Sequence, residues 1–261
     1  MIEFEIRGEQ YNGKQDWRDI TLREYISLCK VEIPEKLRNL WTTSSDDKAY
    51  EKASEAVTSE DAIKIFPEYY GEIIRRLTNI PDDVIDLMDS GLRDAFFHRA
   101  FSHFILSMFT SHPLNNVEGK NIIYEPPDIK SFKIGKDRYY LPKTLKIYGE
   151  EIPLGEEPVI SFAEAADIEI AIRHLAEGAV DRLPMFVSVY CRKLNEKYDE
   201  KKAMQREKLF LDLNMEVVWA VFFCIRRLLE RYLTSTQSFL KGAARLYRDI
   251  SVKADSEISD G

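Results

Sequence analysis

The sequence predicts a mainly α fold of the α+β kind: a helical bundle-like core, a small N-terminal β-hairpin and a β insertion near residues 120–150. Three observations predict it. Apolar residues recur at spacings of three and four over most of the chain, as one buried helix face requires. The start of the chain and the stretch near 120–150 break that period with alternating or short β-like runs. Finally, WAVFFCI, Trp219 to Ile225, is unbroken apolar sequence. A helix without a polar face belongs inside a globule. This run is far too short to span a bilayer, and Glu216, Arg226 and Arg227 bracket it. It therefore predicts a central helix, the second of two segments in Asp199–Leu233 that join at Leu213-Asn214.

In order along the chain, Ile2, Phe4 and Ile6 alternate with Glu3 and Glu5, the period of a half-buried strand. Asn12-Gly13 predicts the hairpin turn, and Trp17 to Ile20 the return strand. Thr21-Leu-Arg-Glu24 is a capping-box pattern. Its helix should bury Leu22, Tyr25, Ile26 and Cys29 and stop near Pro34. Trp41 to Glu60 is polar, with little to bury, and predicts an exposed helix or a mobile connection. Ser59-Glu-Asp61 starts a helix carrying Ile63, Phe66, Tyr70, Ile73, Ile74 and Leu77, with a kink or restart at Pro67. Thr78-Asn79-Ile80 ends it. Pro81 fits the first position of a short helix with Asp82 and Asp83 in its first turn. That helix should bury Val84, Ile85, Leu87 and Met88 before Gly91. A longer helix follows, with Phe97, Phe101, Phe104, Ile105 and Met108 on one face.

Residues 113–160 are richer in Pro, Gly and Lys. They hold β-like runs at Ile122–Tyr124, Ser131–Ile134, Arg138–Leu141 and Leu145–Tyr148, with Gly135-Lys-Asp137 joining two of them. Ser161-Phe-Ala-Glu164 opens a helix to about Glu177, with Gly178 at its C-cap. Pro184 begins the next, running from Met185 to Glu196 with Phe186, Val189, Tyr190 and Leu194 on its apolar side. An amphipathic helix from Phe239 to Ile250 precedes a polar, disordered tail, Ser251–Gly261. The implied parts are 1–112, 113–160, 161–250 and 251–261, within one compact domain overall.

The chain has 261 residues and a formal net charge of -8. That balance lacks the basic face a duplex-binding protein needs, so nucleic acid is not the expected partner. Cys29, Cys191 and Cys224 are odd in number and widely spaced, the pattern of a reduced protein with buried thiols. MIEFEIRGEQ has no signal-peptide pattern, and no segment is long and apolar enough for a membrane span.

The residue pattern assigns no catalytic, cofactor-binding or metal-ligating residue. His98 and His103 are five apart, a spacing that turns their rings away from each other on a helix, and His112 and His174 join no ligand cluster. Cys191 has Arg192 and Lys193 beside it but no marked base, and reads as a buried thiol. There is no GxSxG and no phosphate-cradling loop. Asp46-Asp47 and Asp82-Asp83 read as helix starts, and EKKAMQREK, Glu200 to Lys208, as a solvated face. Tyr69-Tyr70, Phe96-Phe97, Tyr139-Tyr140 and Phe222-Phe223 read as core.

Phe66 to Phe109, with its phrase LTNIPDDVID at Leu77–Asp86, resembles the tail assembly chaperone-like proteins of tailed bacteriophages. YYLP (Tyr139–Pro142), SFAEAADIE (Ser161–Glu169), KYDE (Lys197–Glu200) and the FF of Phe222-Phe223 follow in a similar order. The resemblance implies a non-enzymatic protein of the host cytoplasm, absent from the virion, that binds the aggregation-prone tape measure protein until the tail assembles. It implies no catalytic residues. The alternative expectation is a virion structural protein of the neck, tail or capsid.

Overall fold

The computed structural model describes residues 1–43, 46–105, 128–142, 144–146, 159–161, 180–225 and 227. It is mainly helical with small sheets. The predicted strand at Ile122–Tyr124, the helix expected to open at Ser161 (beyond Ser161 itself, to Glu177), that from Phe239 to Ile250, the C-terminal tail, Met108, His112, His174 and Gly178 lie outside the described residues.

Strands β1 (Ile2–Ile6) and β2 (Glu9–Gly13) form the N-terminal antiparallel hairpin. Its turn is Arg7-Gly8, both at positive φ (55° and 85°), as a two-residue hairpin turn of the primed type needs. Asn12-Gly13 is therefore not the turn, and Trp17–Ile20 is not a strand. Gly13 serves close packing instead. A Cβ there would lie 3.0 Å from the rings of Phe101 and Phe4. The other side of β2 is held by the segment after Leu77: Lys14 N–H donates to the Leu77 carbonyl at 2.8 Å, and Asn79 N–H to that of Asn12 at 3.2 Å.

Helix α1 (Leu22–Cys29) has the predicted capping box, with Glu24 N–H donating to Thr21 Oγ1 and Thr21 N–H to Glu24 Oε2. It buries Leu22, Tyr25 and Leu28, whereas Ile26 is half-buried and Cys29 exposed. Helix α2 (Glu35–Thr43) buries Leu37 and Trp41, so the polar stretch gives the core one aromatic after all. Helix α3 (Asp47–Glu55) buries nothing.

A π-helical turn at Asp61–Ile65 leads directly into α4 (Phe66–Leu77), with Pro67 in the first turn of the α segment. The restart expected at Pro67 is a change of helical pitch. One consequence corrects the sequence reading. The wider π turn puts Ile63 off the buried line, and it is exposed. Thr78 caps α4, Pro81 stands at the N-cap of α5 (Asp82–Asp86) rather than inside it, and Asp89 caps α6 (Ser90–Ala100). Around α5, Ile85 and Met88 are buried, Val84 half-buried and Leu87 exposed. The long helix breaks at Phe101, whose φ of -126° is not helical, and resumes over 102–105. Phe97, Phe101, Phe104 and Ile105 all face inward.

Strands β3 (Ser131–Ile134) and β4 (Asp137–Tyr140) form the second hairpin, with Gly135 at φ 57° in its turn. Strands β5 (Thr144–Lys146) and β6 (Val159–Ser161) pair in parallel. Helices α7 (Leu183–Tyr190) and α8 (Glu200–Phe210) follow. The apolar run lies in a helix, α9, over residues 215–225.

The chain breaks between α8 and α9 at the predicted Leu213-Asn214 joint, where the Asn214 side chain accepts from Val217 N–H at 3.0 Å. The start of α1 is bonded to this joint. Leu22 N–H donates to the Leu213 carbonyl at 2.7 Å, and Met215 N–H to that of Ile20 at 2.9 Å. Trp219 then packs edge-on to Trp17, Tyr25 and Phe222, and Phe222 touches Phe186 of α7. Elements from both ends of the described chain meet on α9. A second aromatic group, Trp41, Tyr69, Tyr70 and Phe97, joins α2, α4 and α6, with the Tyr70 and Phe97 rings stacked at 4.1 Å.

Candidate functional site

A partly buried polar grouping lies where the second hairpin meets α7 and α8. Helix α7 ends at Tyr190, short of the expected Glu196, because Cys191 turns extended (φ -94°, ψ 114°). Tyr140 N–H donates to the Arg192 carbonyl at 2.9 Å, so the backbone there pairs with β4 instead of continuing the helix. Leu194, placed on the apolar side by the sequence, is exposed. Asn195, at φ 63°, reverses the chain.

These turns gather charged groups around the Tyr139 ring. Lys193 Nζ is 2.8 Å from Asp137 and 5.9 Å from the ring centroid. Arg206 Cζ lies 6.0 Å from the same centroid. Arg206 Nη1 donates to Glu196 Oε1 at 2.6 Å, with both side chains nearly closed to solvent. The other Glu196 oxygen accepts from Lys193 N–H at 3.0 Å. Phe210 packs edge-on beneath, 5.0 Å from Tyr139. Arg206 Nε and Nη2 are buried and have no hydrogen-bond partner among the described residues.

The sequence reading put Arg206 on a solvated face, and this is a correction. Arg206 shares its side of α8 with buried Ala203 and Phe210, three before and four after it. That spacing was the available signal. The mixed signs of its neighbours hid it.

Chemically, the grouping binds elements together. Burial raises the Tyr139 phenol pKa, against the opposing pull of Lys193, so the ring stays neutral at physiological pH. Burial also pushes the Cys191 thiol up, and Cys224 adds to the shift. A thiol held protonated is a poor nucleophile, so Cys191 is the buried thiol its setting predicted. Cys224 donates to the Pro142 carbonyl at 3.1 Å.

His98 and His103 lie on the surface. His98 is exposed beside Asp94 at 3.5 Å, against the edge of Tyr70, and His103 is exposed. Among the described residues no group of three His, Cys, Asp or Glu side chains could hold a metal ion. Among them, too, no helix is long and apolar enough to cross a membrane.

Two outer faces stand apart from this polar centre. On α8, Lys201, Met204, Gln205 and Lys208 form one exposed line opposite the buried side. At the corner between α5 and α6, Leu87 and Leu92 are exposed among Asp82, Asp83, Asp86 and Asp89. No family model matches the chain, nor does any curated protein or solved structure.

Proposed function

We propose that this protein is a non-enzymatic phage assembly factor, tail assembly chaperone-like, that binds another phage protein such as the tape measure protein in the host cytoplasm. The observation that carries the reading is the exposure of large apolar side chains on helical surfaces. Ile63, Leu87 and Leu92 lie on one group of helices, and Met185, Met204 and Leu209 on another. Such side chains suit the apolar face of a partner helix, and methionine adapts to partners of varied shape. The resemblance at Phe66–Phe109 and in the later phrases adds the phage setting. A net charge of -8 favours solubility while such surfaces are exposed.

The test is to express the tape measure protein with and without this chain. The chaperone reading expects the partner to stay soluble only in its company. It also expects stoichiometric binding with a negative heat-capacity change, the mark of buried apolar surface. Equal solubility in both cases, together with the chain at stoichiometric level in purified virions, would replace it with the virion structural reading.

A further inference from the structure

We infer that the open edge of β1 takes an extended segment of another polypeptide, one in which lysine or arginine alternates with apolar residues. The inference concerns an added strand rather than a helix, and it does not depend on the proposed function.

The hairpin fixes which backbone groups are spare. With Arg7-Gly8 as its two-residue turn, Ile6 and Glu9 form the first hydrogen-bonded pair, and such pairs alternate along an antiparallel ladder. Phe4–Tyr11 and Ile2–Gly13 are then bonded pairs, and Glu3–Asn12 and Glu5–Gln10 the non-bonded ones. The backbone N–H and C=O of a non-bonded residue turn away from the paired strand. Asn12 shows this directly. Its N–H donates to Asn79 Oδ1 at 2.7 Å, and its carbonyl accepts from Asn79 N–H at 3.2 Å. The outer edge of β2 is therefore occupied. On the opposite side, Glu3 and Glu5 turn two N–H and two C=O groups outward, and among the described residues none of the four has a partner. A row of unpaired ladder groups is a template for one more strand.

Side-chain cover thins in the same direction. Tyr11 and Gly13 of β2 are buried, whereas Ile2, Phe4 and Ile6, on the same face of the hairpin, are half-buried. These three pack on the core, and a strand beyond β1 would cover their outer flank. Glu3 and Glu5 stand on the other face, both exposed, and among the described residues neither pairs with a cation. Glu5 accepts only from the neutral Gln10 Nε2, at 3.0 Å.

The two glutamates select the occupant. A second copy pairing antiparallel through its own β1 would set glutamate opposite glutamate, and like charges directly opposite destabilise a pair. Charge on an edge strand discourages such self-pairing. An antiparallel Val-Lys-Val-Lys-Val segment sets its lysines opposite Glu3 and Glu5 and its valines opposite Ile2, Phe4 and Ile6. Its two lysine residues then exchange all four spare backbone hydrogen bonds with Glu3 and Glu5.

Amide hydrogen exchange on the full chain, with and without the capped peptide acetyl-SVKVKVS-amide, tests it. The Glu3 and Glu5 amides should exchange fast in the free protein and slow several-fold at millimolar peptide. The peptide acetyl-SVEVEVS-amide should bind about tenfold more weakly, and E3K/E5K should reverse that order. N-methylation of both lysine amides, which face β1, should abolish binding. N-methylation of the middle valine, whose amide faces away, should leave it intact. No slowing at Glu3 and Glu5 overturns the inference. So does binding that survives the N-methyl lysines, or a preference between the two peptides that E3K/E5K leaves unchanged. Should E3K/E5K fail to fold, the N-methyl series on the wild type decides by itself. Glu3 and Glu5 amides already protected in the free protein also overturn it: protection that grows with protein concentration assigns the edge to a second copy, and protection that does not assigns it to this chain.

Discussion

Helix α3 and the described part of α9, residues 215–225, are held by opposite means. Every residue of α9 over 215–225 is buried or half-buried, and its aromatic rings carry contacts to the N-terminal segment, α1 and α7. Helix α3 buries no residue, and only Ala49 and Ala53 are even partly covered. It begins at an Asp46 N-cap that accepts from Lys48 and Ala49 N–H at 3.1 Å each. One helix follows from the burial of its side chains, the other from satisfaction of its first backbone donors. Helix α8 lies between, with a buried ionic side and an open side of mixed charge. Substitutions should therefore act globally in α9 and locally in α3.

The largest expected effect is at Phe222, which touches Trp219, Phe186 and Phe223. Phe222→Ala should cost about 3–5 kcal/mol of global stability, read by denaturant unfolding. A loss below about 1 kcal/mol would remove α9 from the centre of the core.

Next comes the buried ion pair. Glu196→Gln leaves the Arg206 guanidinium closed off without its carboxylate. The cost should be about 3 kcal/mol, because breaking one half of a buried pair strands the other. R206M/E196L, which removes both charges, should recover most of that loss. If E196Q and the double variant unfold at the same denaturant concentration, a stranded Arg206 charge is not what the loss at Glu196 measures.

Asp61 sharpens the comparison, since it is a helix-start carboxylate that is also buried. Its Oδ2 accepts from Lys36 Nζ at 2.6 Å, Thr58 N–H at 2.7 Å and Thr58 Oγ1 at 2.6 Å. Lys36 first, then the Thr58 hydrogen bonds, hold its pKa down to about 2. A lowered folded-state pKa stabilises above the ordinary carboxylate range, and the contribution is lost as pH falls towards about 2. Thermal melts should therefore show wild type above Asp61→Asn at neutral pH. The gap should narrow from about pH 4 downwards, because the unfolded carboxylate titrates near 3.9. A gap that holds constant to pH 2 would show that the carboxylate charge is not what matters there.

The same contrast shows how much was legible in the sequence. Elements governed by their own residues were readable: the Thr21–Glu24 capping box, the Gly135 hairpin and the helix of the apolar run Trp219–Ile225. Misreadings arose where a distant element overrode local preference. Asn12-Gly13 is a strong turn signal, yet Gly13 is needed where Phe101 crosses the hairpin. Alternation pointed to the true turn, since it stops at Ile6 and the Phe4–Tyr11 pairing brackets Arg7-Gly8. Helix α7 had apolar residues enough to continue to Leu194, but β4 takes the Arg192 carbonyl. Ile63 kept the 3.6-residue period and is exposed because a π turn displaces it. The polar centre around Tyr139 needed three elements to meet, and no local pattern announces that.

The smallest global effect is expected at Asp46, where the local effect should be clear. Replacing an N-cap carboxylate by alanine costs a helix about 1 kcal/mol. In α9 such a cost would appear in global unfolding, because that helix and the core melt together. In α3 no buried side chain couples the helix to the rest. A nine-residue helix in water is marginal without packing, so losing its cap shifts it towards coil while the core stays folded. Asp46→Ala should therefore speed amide hydrogen exchange across 47–55 several-fold. Exchange in α9 and the melting temperature should stay at wild-type values. Tyr50 is 46% exposed and serves as the control: Tyr50→Ala should alter neither reading by more than about 0.5 kcal/mol. If Asp46→Ala lowers the melting temperature as far as a core substitution does, α3 is coupled to the core, and the division between helices held by caps and helices held by burial fails.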